Sequence, residues 1–103
     1  MEYMDKPAIL TKNNISKHLC LLPDWYVSDN HLKFDYQFKN SKYALAFVLL
    51  VAMEAEAKNH HPICTFCYNK VSFALTTHSA GNQLTNKDFE LANYINKNIN
   101  KFI

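Results

Sequence analysis

His31-Leu32-Lys33-Phe34-Asp35-Tyr36-Gln37-Phe38 is the stretch on which the fold turns. Large apolar side chains at 32, 34, 36 and 38 alternate with polar ones at 31, 33, 35 and 37. That is the period of a strand with one buried and one wet face. A one-sided strand needs a second layer to cover it, and the next residues supply one. Asn40 is placed to cap a helix running to about Asn59, whose stripe is Tyr43, Phe47, Leu50, Val51 and Glu54. Between Ala44 and Ala55 this helix is apolar on most sides, so more than the sheet is expected to cover it. Pro62 disfavours helical geometry at the residue before it, which predicts a helix end at His60 or His61.

Upstream of the strand, Ser28-Asp29-Asn30 is turn chemistry and Trp25-Tyr26-Val27 reads as a partner strand. Ile15, Leu19 and Leu22 recur at helical spacing in a first helix, Thr11 to Leu22, stopped by Pro23. Downstream, 63–68 and 71–77 read as a hairpin around Asn69-Lys70. After a loop holding Gly81, Thr85 and Asp88 have the spacing of a capping box. The last helix then carries Phe89, Ala92, Ile95, Ile99 and Phe102 on one stripe. The order helix-β-β-helix-β-β-helix predicts an α+β fold: a single four-stranded antiparallel sheet with three helices on one face, in one domain over residues 1–103.

The bulk composition restricts the function classes. The chain has 103 residues, 49% hydrophobic and 19% charged, an ordinary globular balance. At this size a domain buries roughly two-thirds of the surface its unfolded chain exposes, enough to fold without a metal or disulfide staple. A net charge of +2 without a clustered basic face argues against direct nucleic-acid binding. The apolar run from Ala44 to Met53 is too short to span a membrane, and the N-terminus lacks the pattern of a signal peptide. Three cysteines do not make a disulfide framework. These features predict a reduced, soluble cytoplasmic protein, or a nuclear one in a eukaryote.

Chemistry concentrates in Glu56-Ala57-Lys58-Asn59-His60-His61-Pro62. Glu56 and His60 are four apart, which predicts that they share a helical face and hydrogen-bond. At a helix C-terminus the macrodipole suits a cation, as a general acid near neutral pH requires. His78 ends the fourth predicted strand, and an antiparallel return brings that end toward Pro62. Three histidines are therefore expected to converge on one pocket. His18 and His31 read as ordinary structural histidines.

Glu56-x3-His60-His61-Pro62-x5-Tyr68-x9-His78-x9-Asp88 resembles the signature of the pterin-4a-carbinolamine dehydratases at every anchor. Tyr68-Asn69-Lys70-Val71, Leu84-Thr85-x2-Asp88 and the alternating strand after Trp25 match as well, so the resemblance runs from about Trp25 to the C-terminus. It implies dehydration of 4a-hydroxytetrahydropterin to quinonoid dihydropterin, in tetrahydrobiopterin recycling, by a homodimer or homotetramer needing no metal and no cofactor. It implies His60 and His78 as the acid/base pair, His61 in substrate positioning and Glu56 as the group that orients His60. Substrate-binding residues are expected at His61, Pro62, Cys64, Thr77, Ser79 and Asp88. The chain departs from the family pattern in three places. Cys64 stands where many members have Trp, Ser79 where Asp is frequent, and the loop to Leu84 is a residue longer than in some members.

Two other readings compete. Cys64-x2-Cys67 beside the histidines suggests zinc, but residues three apart on a strand point to opposite faces and cannot chelate one ion unless the segment is a knuckle instead. The apolar helix from Ser41 to Asn59 suits a non-enzymatic interaction module, since some members of the family also bind a homeodomain transcription factor. Self-association explains that surface equally well.

Overall fold

The computed structural model describes residues 7–103. Its elements are α1 (Lys12–Leu19), β1 (Tyr26–Ser28), β2 (His31–Gln37), α2 (Ser41–Ala57), β3 (Ile63–Cys67), β4 (Lys70–Leu75) and α3 (Asn86–Asn98). The four strands form one antiparallel sheet in the order β1-β2-β4-β3. β2 and β4 are central, β1 and β3 are edges.

The alternation in β2 does what its period requires. Leu32, Phe34 and Phe38 are buried while Asp35 and Gln37 face solvent. The β2–β4 register sets Phe34 opposite Phe73 and Leu32 opposite Leu75, so both central strands turn their apolar side chains to the same face. α2 covers that face with Ala44, Phe47, Val51 and Ala55, and α3 with Phe89, Ala92 and Ile95. The two alanines let the α2 backbone come close, and Phe47 fills the gap between layers. Its ring lies 5.5 Å from Phe38, 6.1 Å from Phe73 and 5.1 Å from Phe102. Truncating a phenylalanine so placed costs about 3–5 kcal/mol.

The turns explain the strand ends. Ser28 pairs with His31, leaving a two-residue loop of Asp29 and Asn30 with φ of 53° and 59°. Asp and Asn tolerate that left-handed geometry, which matches the twist of a tight hairpin. The second hairpin turns on Tyr68-Asn69, one residue earlier than the sequence suggested. Lys70 already belongs to β4, paired with both Cys67 and Gln37. Asn69 ties this loop to the end of β2: its carbonyl accepts from the Phe38 N–H and its Nδ2 donates to the Phe38 carbonyl, both at 2.8 Å.

α1 is capped by Thr11, whose hydroxyl accepts from the Asn14 N–H, and it ends at Leu19 rather than Leu22. Leu22 is buried all the same, in the turn that follows. Trp25 is also buried, stacked at 4.9 Å on Phe34, and its indole N–H finds no hydrogen-bond partner among the described residues. His18 stacks on Phe89 at 4.7 Å, and His31 donates from Nδ1 to the Asp29 carbonyl at 2.7 Å. Both are structural, as expected. Among the described residues no helix is long and apolar enough to cross a membrane.

Candidate active site

α2 ends earlier than Pro62 alone requires. Asn59 takes a left-handed φ of 52°, the Asn59 N–H bonds to the Glu56 carbonyl and the His60 N–H returns to the Ala55 carbonyl. This is a Schellman reversal with asparagine in the left-handed position. The chain changes direction there, so His60 and His61 lie beyond the helix. The reversal sends their side chains to different places. His60 turns inward and is 8% exposed, whereas His61 stands in solvent.

This corrects the expected pairing. Glu56 binds His61, through Oε1 and Nε2 at 2.8 Å, and does not bind His60. The i, i+4 argument assumed that the helix continued through residue 60. His60 instead finds Asp88, with Nε2 at 2.7 Å from Oδ1.

Asp88 reaches that position because α3 begins beside it. Thr85 and Asp88 form the capping box their spacing predicted: the Thr85 N–H donates to Asp88 Oδ2 at 2.9 Å, and the Thr85 hydroxyl accepts from the Lys87 N–H at 3.2 Å. The Thr77 hydroxyl also donates to Oδ2, at 2.8 Å, and lies 2.7 Å from the Thr85 hydroxyl. An ionised carboxylate only accepts, which orders the whole network. Thr85 donates to Thr77, Thr77 donates to Asp88, and His60 donates its Nε2–H from the other side. His60 Nδ1 is left without a partner among the described residues.

Asp88 is 0% exposed, and Thr77 is buried with it. The Thr77 backbone is engaged as well, its N–H on the Gln83 carbonyl and its carbonyl accepting from the Asn82 N–H. Asp88 and Thr77 were expected among the substrate-binding residues. Both are buried, Thr77 donating to Asp88 and Asp88 accepting from His60. Of the remaining expected contacts, Cys64 and Ser79 are exposed and Pro62 is half-buried.

The same network fixes the relation between the two ends of the site. The β3–β4 register pairs Ile63 with Ala74, and beyond the strands Asp88 joins His60 to Thr77. His78 follows directly and opens a 3₁₀ turn, His78–Ala80. Its imidazole is exposed and its Nδ1 lies 2.7 Å from Asn82 Oδ1. Asn82 was not singled out from the sequence; an asparagine after the lone glycine was the available signal. Beside His60, between the end of α2 and the outer flank of α3, lies a cavity of about 550 Å³. Glu54, Lys58, Lys87, Glu90 and Tyr94 line it with His60, whereas His61 and His78 do not.

Cys64 pairs with Phe73 on the helix side of the sheet and Cys67 with Lys70 on the other. No group of three His, Cys, Asp or Glu among the described residues is arranged to hold a metal ion. Burial of part of its surface pushes the Cys64 thiol up, so it is a poorer nucleophile than a free cysteine.

The model of the pterin 4 alpha carbinolamine dehydratase family matches residues 8–98. The chain belongs to that family. A relative from Chloroflexus aurantiacus that carries the family's name is 45% identical over 83 residues, 81% of this chain and 88% of its own. Another of that name, from Sulfolobus acidocaldarius, is 40% identical over 88 residues, 85% of this chain and 96% of its own. The crystal structure of a transcriptional coactivator/pterin dehydratase from Brucella melitensis superposes with a TM-score of 0.83 at 30% identity, covering 87% of this chain and 97% of that one. Membership makes the chain a hydro-lyase, and the Brucella likeness agrees with the helix and strand order described above.

Proposed function

We propose that the chain dehydrates 4a-hydroxytetrahydropterin to quinonoid dihydropterin by histidine acid/base catalysis, returning a pterin that an aromatic amino acid hydroxylase has used. One observation carries this reading. Each motif histidine has one ring nitrogen fixed on an acceptor, His60 on Asp88, His61 on Glu56 and His78 on Asn82. In every case the second nitrogen has no hydrogen-bond partner among the described residues. The reaction needs two transfers: the C4a hydroxyl must gain a proton to leave as water, and N5 must lose one as the C4a=N5 bond forms. A fixed imidazole suits either task, and each contributes typically 10²–10⁴ in rate. We assign the two transfers to His60 and His78, and substrate contacts to His61, Pro62, Cys64 and Ser79. The test is turnover on synthetic 4a-hydroxytetrahydropterin. His60→Ala and His78→Ala should each lower it by about 10²–10⁴. Wild-type turnover in His60→Ala at saturating substrate would end its role in proton transfer.

The working form in this proposal is a homo-oligomer. Leu45, Leu49 and Met53 stand one turn apart on α2 and are 46%, 56% and 73% exposed. β3 is paired on one side only, and all its residues are exposed. An apolar stripe beside an open strand edge calls for cover, and a second copy of the chain is the economical one. Light scattering at micromolar concentration should find a dimer or tetramer. The Brucella protein's description as a coactivator favours a second reading, in which α2 docks another protein. A strictly monomeric chain in light scattering would favour that alternative.

A further inference from the structure

The loop from His78 to Leu84 holds an asparagine against the exposed imidazole of His78. We infer that Asn82 is a positioning residue, which holds His78 with its proton on Nδ1 and so presents Nε2 as the proton-accepting atom. This rests on the assignment of proton transfer to His78.

His78 is exposed and is the first residue of a short 3₁₀ turn, so neither packing nor a long helix holds its ring. Its one side-chain hydrogen bond among the described residues is to Asn82, at 2.7 Å between Nδ1 and Oδ1. The backbone is bent to make that bond. Gly81 and Asn82 take consecutive left-handed φ values of 72° and 60°. The Gly81 N–H bonds to the His78 carbonyl at 3.1 Å and the Asn82 N–H to the Thr77 carbonyl at 3.0 Å. Thr77 is in turn fixed through Asp88 to His60. Residue 82 is thus brought back over residue 78 from the same anchor that carries the other half of the acid/base pair.

The chemistry of the partner matters as much as its position. His60 and His61 each meet a carboxylate, whereas His78 meets a neutral amide. An amide oxygen accepts from Nδ1–H and fixes the tautomer, but it adds no negative charge to the ring's surroundings. A base that must take a proton and pass it on is served by orientation without an ion pair.

Two substitutions separate this role from loop structure. Asn82→Gly keeps the left-handed backbone, which glycine adopts freely, and removes only the acceptor. Asn82→Asp keeps the acceptor and adds charge. Asn82→Gly should lower kcat about tenfold with KM nearly unchanged, the scale expected of a mispositioned catalytic group. Asn82→Asp should retain most of kcat near its optimum but move the acid limb of the pH profile upward, because a carboxylate favours the protonated ring. Nitrogen NMR of His78 in the full chain should show the Nδ1–H form in wild type and a tautomer mixture in Asn82→Gly. If Asn82→Gly keeps the wild-type kcat and pH profile while His78→Ala is impaired, Asn82 has no such role and the dehydratase reading stands. If the chain lacks dehydratase activity altogether, the functional reading falls, and the NMR result still decides the hold on His78. An Nε2–H tautomer in wild type would overturn it.

Discussion

Two histidine–carboxylate pairs sit one residue apart in the chain and belong to different physical regimes. His60 and Asp88 meet at 2.7 Å with side chains 9% and 0% exposed; His61 and Glu56 meet at 2.8 Å with side chains 55% and 80% exposed. The distances are nearly equal, so distance is no guide to their worth. An exposed ion pair is screened by water and salt and contributes about 0–1 kcal/mol. In a buried pair, removing one partner leaves each polar group that it satisfied stranded, at about 1–3 kcal/mol apiece. The buried pair is therefore a fixture, whereas the exposed pair is an adjustable contact that a substrate or salt can rearrange.

The largest effect should come from Asp88→Ala. That change strands His60 Nε2, the Thr77 hydroxyl and the Thr85 N–H together, and it removes the Asp88 half of the capping box of α3. With three donors stranded, a loss of about 3–5 kcal/mol is expected in denaturant unfolding, a large part of the 5–15 kcal/mol typical of a domain. Turnover should fall with it, since His60 loses its fixed proton. A loss below about 1 kcal/mol would place both pairs in the same regime.

Glu56→Gln should be much milder, changing stability by less than about 1 kcal/mol. Its effect belongs in substrate handling: the Michaelis constant should rise while kcat holds, and His61→Ala should do the same more strongly. The contrast would sharpen in salt, which should weaken the wild-type His61–Glu56 contact and leave the buried pair untouched. A collapse of kcat in Glu56→Gln would reverse the roles of the two histidines.

The smallest effect should come from the double change Cys64→Ser with Cys67→Ser, which touches neither pair. Turnover should stay within a few-fold of wild type, with somewhat weaker pterin binding at most, and a chelator should change nothing. Activity lost in the double mutant and restored by zinc would replace the acid/base account with a metal one.

Much of this was legible because it is local. The period-2 run in β2, the Asn40 cap and the Thr85–Asp88 capping box are written within four residues of themselves, and each formed as read. The histidine partners were not legible in the same way. Whether Asn59 continues a helix or reverses it depends on what α3 offers next, because asparagine tolerates both geometries. Once it reverses, Glu56 lies nearer residue 61 than residue 60. The true partner of His60 is 28 residues away, a separation no spacing rule reaches. Asp88 was visible in the motif, but a carboxylate near a pocket invites a substrate contact, and its burial beneath His60 is set by residues distant in the chain.

The lone tryptophan gives these comparisons an internal gauge. Trp25 is 5% exposed, stacked on Phe34, and its indole N–H is unbonded among the described residues. An indole in dry, apolar surroundings fluoresces toward the blue, and water reddens it. With no second tryptophan in the sequence to blur the signal, emission wavelength reports whether the helix–sheet core is closed. A variant that loses turnover without reddening has lost chemistry; one that reddens has lost its core.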